Sequence, residues 1–225
     1  DDNDRFSKPT IFNATYIGPG VDAVNDDVAL MLRDGTGGMY ANSIFTEFPA
    51  KAVEVEDRAA DKGIDARQHM EDGDLVLQNN IWWEFGSGDE FTADELIQVT
   101  DDAQDANASF LATHMTENTN TIEDPKLRGI SREADGMLDP RIGGGSPATE
   151  NLAPVPEIAF FSTAPYKGAF GDENWAMGWT ATDALGYFGD LPYNGGNVVE
   201  VNDDDLTTED VTWTADNTYL LDGFV

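Results

Sequence analysis

The stretch Asp74–Phe85, DLVLQNNIWWEF, decides how the chain is read. Its two halves are rich in branched and aromatic residues and meet at Asn79-Asn80, a corner pair. That pattern predicts two short strands rather than one long one or a helix. The same texture extends outward. Thr10–Ile17 (TIFNATYI) reads as β and ends at Gly18-Pro19-Gly20, and Asp27–Leu32 (DVALML) closes at Asp34-Gly35-Thr36-Gly37-Gly38. Met39–Phe45 (MYANSIF) and Ala52–Val55 (AVEV) follow. Short strands separated by Gly, Asn and Asp corners suit a sandwich, a barrel or a β-helix.

Two stretches depart from this. Arg58–Met70 reads as a short helix. Thr92–His114 reads as one amphipathic helix: Thr92 and Glu95 have capping-box spacing, and Leu96, Val99, Ala103, Ala106 and Phe110 recur every three or four residues. Asp124–Pro156 carries five prolines and Gly143-Gly144-Gly145, so it is expected to run extended over the surface. Phe160–Tyr187 is dense in aromatics and reads as a hydrophobic cap. In it, Trp175 and Trp179 are expected to plug the end of a β body. The last part has a strand at Val198–Val201, an acidic stretch, and a strand pair, Val211–Thr214 and Tyr219–Val225. The expected organisation is residues 1–91 as β rungs, 92–123 as a helical insertion, 124–195 as extended loop and cap, and 196–225 as acidic linker and terminal strands.

Charge narrows the function. Of 225 residues, 44 are Asp or Glu and 12 are Lys or Arg, a formal charge of -32. Phosphate binding requires Lys and Arg to replace condensed counterions, so a nucleic-acid partner is not expected. An anionic membrane surface is disfavoured on the same ground. Hydrophobic residues at 40% argue for a folded body with an acidic skin, suited to salty or calcium-rich surroundings. There is no cysteine, which removes disulfides, thiolate metal sites and thiol nucleophiles. Two histidines, His69 and His114, cannot make a three-histidine zinc site. No apolar run reaches the roughly 20 residues of a spanning helix. The opening DDNDRFSKPT has no signal-peptide pattern, so the sequence reads as cytoplasmic, processed or a fragment.

Several strings together resemble a family of secreted or surface proteins of marine and environmental bacteria that carry right-handed parallel β-helix repeats. They are SKPTIFNATYIGPG (Ser7–Gly20), LRDGTGGMYANSIFTEF (Leu32–Phe48), LVLQNNIWWEF (Leu75–Phe85), DPRIGGGSPA (Asp139–Ala148) and FFSTAPYKGAFGDENWAMGWT (Phe160–Thr180), the last with a YxGAFG turn and a later GWT. The resemblance implies a mainly β fold, a right-handed parallel β-helix or its terminal portion with a helical insertion and an aromatic-rich cap. A β-sandwich is the alternative, because short strands with polar corners do not by themselves fix parallel pairing. The tail VTWTADNTYLLDGFV (Val211–Val225) resembles the opening strands of such a domain. It therefore reads either as the start of a further β-helix or as a donor strand for a neighbouring subunit, with Val211, Trp213, Tyr219, Leu221 and Phe224 making the assembly contacts. The plainer alternative is that it pairs within its own domain.

Chemical motifs are sparse. No carboxylate pair stands out for glycoside hydrolysis, and the arginines at 33, 58, 67, 128, 132 and 141 form no lyase pattern. Glu84–Gly88 resembles an esterase elbow except that Phe85 replaces the first glycine. The glycines at 35, 37 and 38 lack the following Gly-Lys-Ser/Thr of a P-loop. Calcium is the most plausible ion, with Asp26, Asp27, Asp203, Asp204 and Asp205 as candidate ligands; Asp172-Glu173-Asn174 and Asp1-Asp2-Asp4 are further clusters. Trp82 and Trp83 are candidate sugar-stacking residues, although adjacent strand residues face opposite sides and one must belong to the core. The leading expectation is a non-enzymatic, extracellular, self-assembling surface protein: an array, sheath or filament subunit built by β-edge contacts with itself and stabilised by cations. The alternatives are a calcium-dependent carbohydrate-binding or adhesion module, with polysaccharide as partner, and then a polysaccharide-active β-helix enzyme.

Overall fold

Asn13, Asn42 and Asn79 each adopt the left-handed conformation, with φ of 56°, 50° and 53°. Asparagine tolerates that conformation better than most residues. Each one bends an extended run into two strands, and the three corners stack. A computed structural model describes residues 6–24, 28–59, 61, 63–101, 107–189, 197–202 and 217–222. They fall into two compact units, residues 1–126 with 142–171, and residues 127–141 with 172–225.

In the first unit nine strands form three parallel sheets. Strands β1 (Thr10–Phe12), β4 (Gly38–Ala41) and β7 (Leu75–Gln78) make one sheet. The second contains β2 (Thr15–Ile17), β5 (Ile44–Phe48) and β8 (Ile81–Phe85). The third contains β3 (Leu30–Leu32), β6 (Val53–Glu56) and β9 (Ile97–Thr100). The chain visits the three sheets in turn, three times over, which is a β-helix-like parallel stack. None of these strands pairs with its neighbour in sequence, so the hairpins of an antiparallel sandwich do not form here.

The core is built by register. Tyr16 lies beside Phe45 and Phe45 beside Trp82. Their rings stack at 4.5 Å and 4.1 Å, with interplanar angles of 8° and 6°. These distances follow from the roughly 4.8 Å spacing of neighbouring strands. Phe48 stacks on Phe85 at 5.9 Å. On the third sheet Leu30, Val53 and Ile97 align, as do Leu32, Val55 and Val99. Gly18 sits where a Cβ would lie 2.4 Å from the Glu47 carbonyl oxygen, so only glycine admits the next rung so close.

Helix α1 (Ala66–Glu71) starts with Asp65 capping the Gln68 amide and overlaps the second part of the expected Arg58–Met70 region. The expected helix from Thr92 is a different object. Leu96 and Ile97 are core residues, and Ile97–Thr100 is the last strand of the third sheet. The Glu95 carboxylate accepts the amides of Asp89 and Glu90 instead of closing a capping box. The helical insertion is α2 (Ser109–Glu117), which buries Leu111 and Met115.

The second unit contains β10 (Leu127–Gly129) with β11 (Asp139–Ile142, whose last residue belongs to the first unit), α3 (Ala181–Ala184), and β12 (Asn197–Asn202) paired in parallel with β13 (Asn217–Asp222). The expected compact aromatic cap does not form. Its residues divide between the two units. Phe160 is 86% exposed, Trp175 53% and Trp179 69%, so neither tryptophan is a plug.

Candidate functional site

The two ends of the stack differ, and the difference arises from a few polar side chains. In parallel pairing alternate residues turn their amide and carbonyl to one neighbour, the next to the other. In β7, Leu77 turns both groups away from β4. The His114 Nε2 atom accepts the Leu77 amide at 3.1 Å, and the Asn120 amide nitrogen donates to the Leu77 carbonyl at 2.8 Å. Burial lowers the His114 pKa to about 4, which keeps the imidazole a neutral acceptor. Thr119, with φ of 56°, repeats the left-handed corner, and the Thr121 carbonyl accepts the Trp82 amide at 2.9 Å. Helix α2 and the turn after it thus take up polar groups at this end of the first two sheets, in the way caps satisfy orphan groups elsewhere.

A column of side-chain acceptors runs down the same corner. The Ser43 hydroxyl accepts the Ala14 amide at 3.1 Å, Asn80 Oδ1 accepts the Ser43 amide at 2.9 Å, and Asn120 Oδ1 accepts the Asn80 amide at 3.3 Å. Asn120 Oδ1 also accepts the Trp82 indole N–H at 3.2 Å. Beside this column the outer asparagines fasten an extended strap. Asn79 donates to the Asn151 carbonyl at 2.7 Å, and Asn13 donates to the Tyr166 carbonyl. Asn42 makes a reciprocal pair with the Ala153 main chain at 2.9 Å and 2.7 Å. The strap leads to Lys167, which is 1% exposed; burial lowers its pKa, while Glu123 and Glu150 pull the other way.

At the opposite end Thr10 and Phe12 turn their main-chain groups away from β4, because Pro9, Ile11 and Asn13 hold the bonds to it. Among the described residues no strand pairs with the outer edge of β1, β2 or β3. This first rung is the candidate functional surface: a set of strand edges with donors and acceptors in register.

The residues singled out in the sequence are dispersed. Trp82 is 0% exposed and is the one of the two that belongs to the core, so it presents no ring face to a ligand and its candidacy as a sugar-stacking residue is corrected. Trp83 is half-buried on the other side of β8. Asp26, Asp27, Asp203, Asp204, Asp205, Val211, Trp213 and Phe224 lie outside the described residues. Tyr219 and Leu221 lie on β13, opposite Val199 and Val201 of β12, so the terminal strand pairs within its own unit. Among the described residues no group of three or more His, Asp or Glu is placed to hold a metal ion. The same residues contain no helix long and apolar enough to cross a membrane. Sequence reasoning missed the first-rung edge and the His114–Asn120 closure. The one available signal was the recurrence of Asn at corners. Compared with protein-family models, with curated proteins and with solved structures, the chain matches none.

Proposed function

We propose that the chain is an architectural subunit of an extracellular surface assembly. In this reading the first unit is a short right-handed parallel β-helix whose first rung pairs with a strand of a second copy. Right-handedness is the strong preference of crossovers joining parallel strands of one sheet. The observation that carries the reading is the asymmetry of the stack: caps at Leu77 and Trp82, and first-rung edges with which no strand pairs among the described residues. Unpaired strand edges are templates for another strand.

The donor is the edge of β13 not taken by β12 in the neighbouring copy, augmenting β1 and extending a head-to-tail, heterologous contact. Such a contact generates an open filament when its rotation does not close. β12 pairs with β13 in parallel, as the strands of the first unit pair with one another, which supports treating the tail as rungs of the same kind. The charge of -32 opposes association, so the assembly takes cations, calcium foremost, to screen it.

The test is Thr10→Pro. Proline at Thr10 removes an outward amide and costs no bond within the sheet. Wild-type protein in millimolar calcium should form filaments by negative-stain imaging, and both Thr10→Pro and deletion of residues 211–225 should leave monomers, with circular dichroism unchanged for Thr10→Pro. A wild-type monomer under these conditions, or filaments that survive Thr10→Pro, refutes the reading.

A further inference from the structure

The second unit contains a cavity of about 270 Å³ whose walls are chemically mixed. Asp139, Arg141 and Asn174 supply polar groups, and Leu138, Met177 and Phe188 supply apolar surface. Arg141 is fixed in place. Its Nε donates to Asp139 Oδ1 at 2.7 Å, one Nη to Asp139 Oδ2 at 2.7 Å, and the other Nη to the Asp172 carbonyl at 3.2 Å. The hydrogen bond from Arg141 holds the Asp139 carboxyl below the usual range, so the pair stays ionised and mutually neutralised. A guanidinium has five N–H donors, so two remain after these bonds. Asn174 Oδ1 accepts the Ala176 amide at 3.3 Å, and its amide nitrogen has no described partner.

The turn that carries Asn174 and Met177 also carries Trp175 and Trp179. Their rings stack at 6.0 Å and 27°, and the Trp179 indole N–H donates to the Trp175 carbonyl at 2.6 Å. Trp175 is 53% exposed and Trp179 69%, so much of the surface of both indoles reaches solvent.

We propose that this cavity and its tryptophan turn form a binding site for a neutral saccharide. The ligand chemistry follows by elimination. A small anion meets an arginine already neutralised by Asp139, on a chain of charge -32. A cation is opposed by Arg141. A wholly apolar ligand strands the free donors of Arg141 and Asn174, at a cost in desolvation. A pyranose presents adjacent hydroxyls to carboxylate, guanidinium and carboxamide together, and its C–H face packs on aromatic rings. The cavity volume limits the buried part to about one ring, with further rings lying along Trp175 and Trp179. The site is in the second unit and does not depend on the assembly reading.

The test is titration calorimetry of the full chain with neutral hexasaccharides of glucose, mannose, galactose and N-acetylglucosamine, and with oligogalacturonate as the charged counterpart. At least one neutral hexasaccharide should bind with a Kd below about 1 mM. Trp179→Ala and Asn174→Ala should each weaken it by about tenfold or more, while Trp83→Ala leaves it unchanged. Trp179 is largely exposed, so its removal should not unfold the unit. Absence of binding to all four at about 10 mM overturns the proposal. So does binding confined to oligogalacturonate, or binding that both variants retain at wild-type strength.

Discussion

Replacing Asn120 by alanine isolates the closure of the stack. The Asn120 side chain accepts from the Trp82 indole at 3.2 Å and from the Asn80 amide at 3.3 Å, and it donates to the Leu77 carbonyl at 2.8 Å. Met115 keeps the Asn120 main-chain amide as a donor after the substitution, and Asn80 Nδ2 keeps the Tyr40 carbonyl. Three buried groups lose the partner given above: the Trp82 indole N–H, the Asn80 main-chain amide and the Leu77 carbonyl. Each orphaned group costs about 1–3 kcal/mol, so the variant should lose at least about 3 kcal/mol. Urea denaturation followed by tryptophan fluorescence, at fixed high salt, measures this directly. Thr116→Ala, on the exposed side of α2, should stay within about 0.5 kcal/mol and serves as the control. A loss below about 1 kcal/mol for Asn120→Ala would mean that water or another group satisfies Leu77 and Trp82, and that α2 does not cap the stack in the way argued.

Other substitutions separate the remaining parts. His114 is neutral in the fold with a pKa of about 4, below its unfolded value near 6.5, so its contribution is whole above pH 6.5 and is lost as pH falls toward 4. Wild-type stability should therefore drop by about 3 kcal/mol more than that of His114→Gln over this range, and parallel pH profiles would contradict it. Trp82→Ala should cost about 3–5 kcal/mol by leaving a cavity between Phe45 and α2, whereas Trp83→Ala should cost about 1 kcal/mol; equal losses would contradict the assignment of Trp82 to the core. Asn42→Ala removes both bonds to Ala153 and places alanine in a left-handed corner. Trypsin should then cut after Lys167 at least about tenfold faster than in the wild type, through local opening of the strap, and an unchanged rate would show that the strap is held otherwise.

What could be read from the sequence depended on how local the signal was. The Asn79-Asn80 corner was legible because branched residues flank it on both sides. The same corner at Asn42-Ser43 and Asn13-Ala14 was not, since TIFNATYI and MYANSIF read equally well as single strands. Thr10 pairs with Met39 and Met39 with Val76, so successive rungs differ in length and no fixed period exposes the repeat. Leu96, Ile97 and Val99 fit a helical spacing and a strand equally well. Pairing with β6, a long-range contact, selects the strand. That one of Trp82 and Trp83 must be buried followed from strand alternation; which one followed only from stacking on Phe45. Trp175 and Trp179 looked like core because they are large and apolar. Their exposure, and the cavity beside Asn174, depend on how residues 127–141 and 172–189 come together, which no local pattern announces.

The most direct test is amide exchange at Thr10 and Phe12 as protein concentration rises in calcium-containing buffer. If the first rung is the assembly surface, both amides exchange freely in dilute monomer and become protected by about a hundredfold or more when the protein associates, with the Leu77 amide protected throughout. Fast exchange at Thr10 and Phe12 in the associated state would contradict the account.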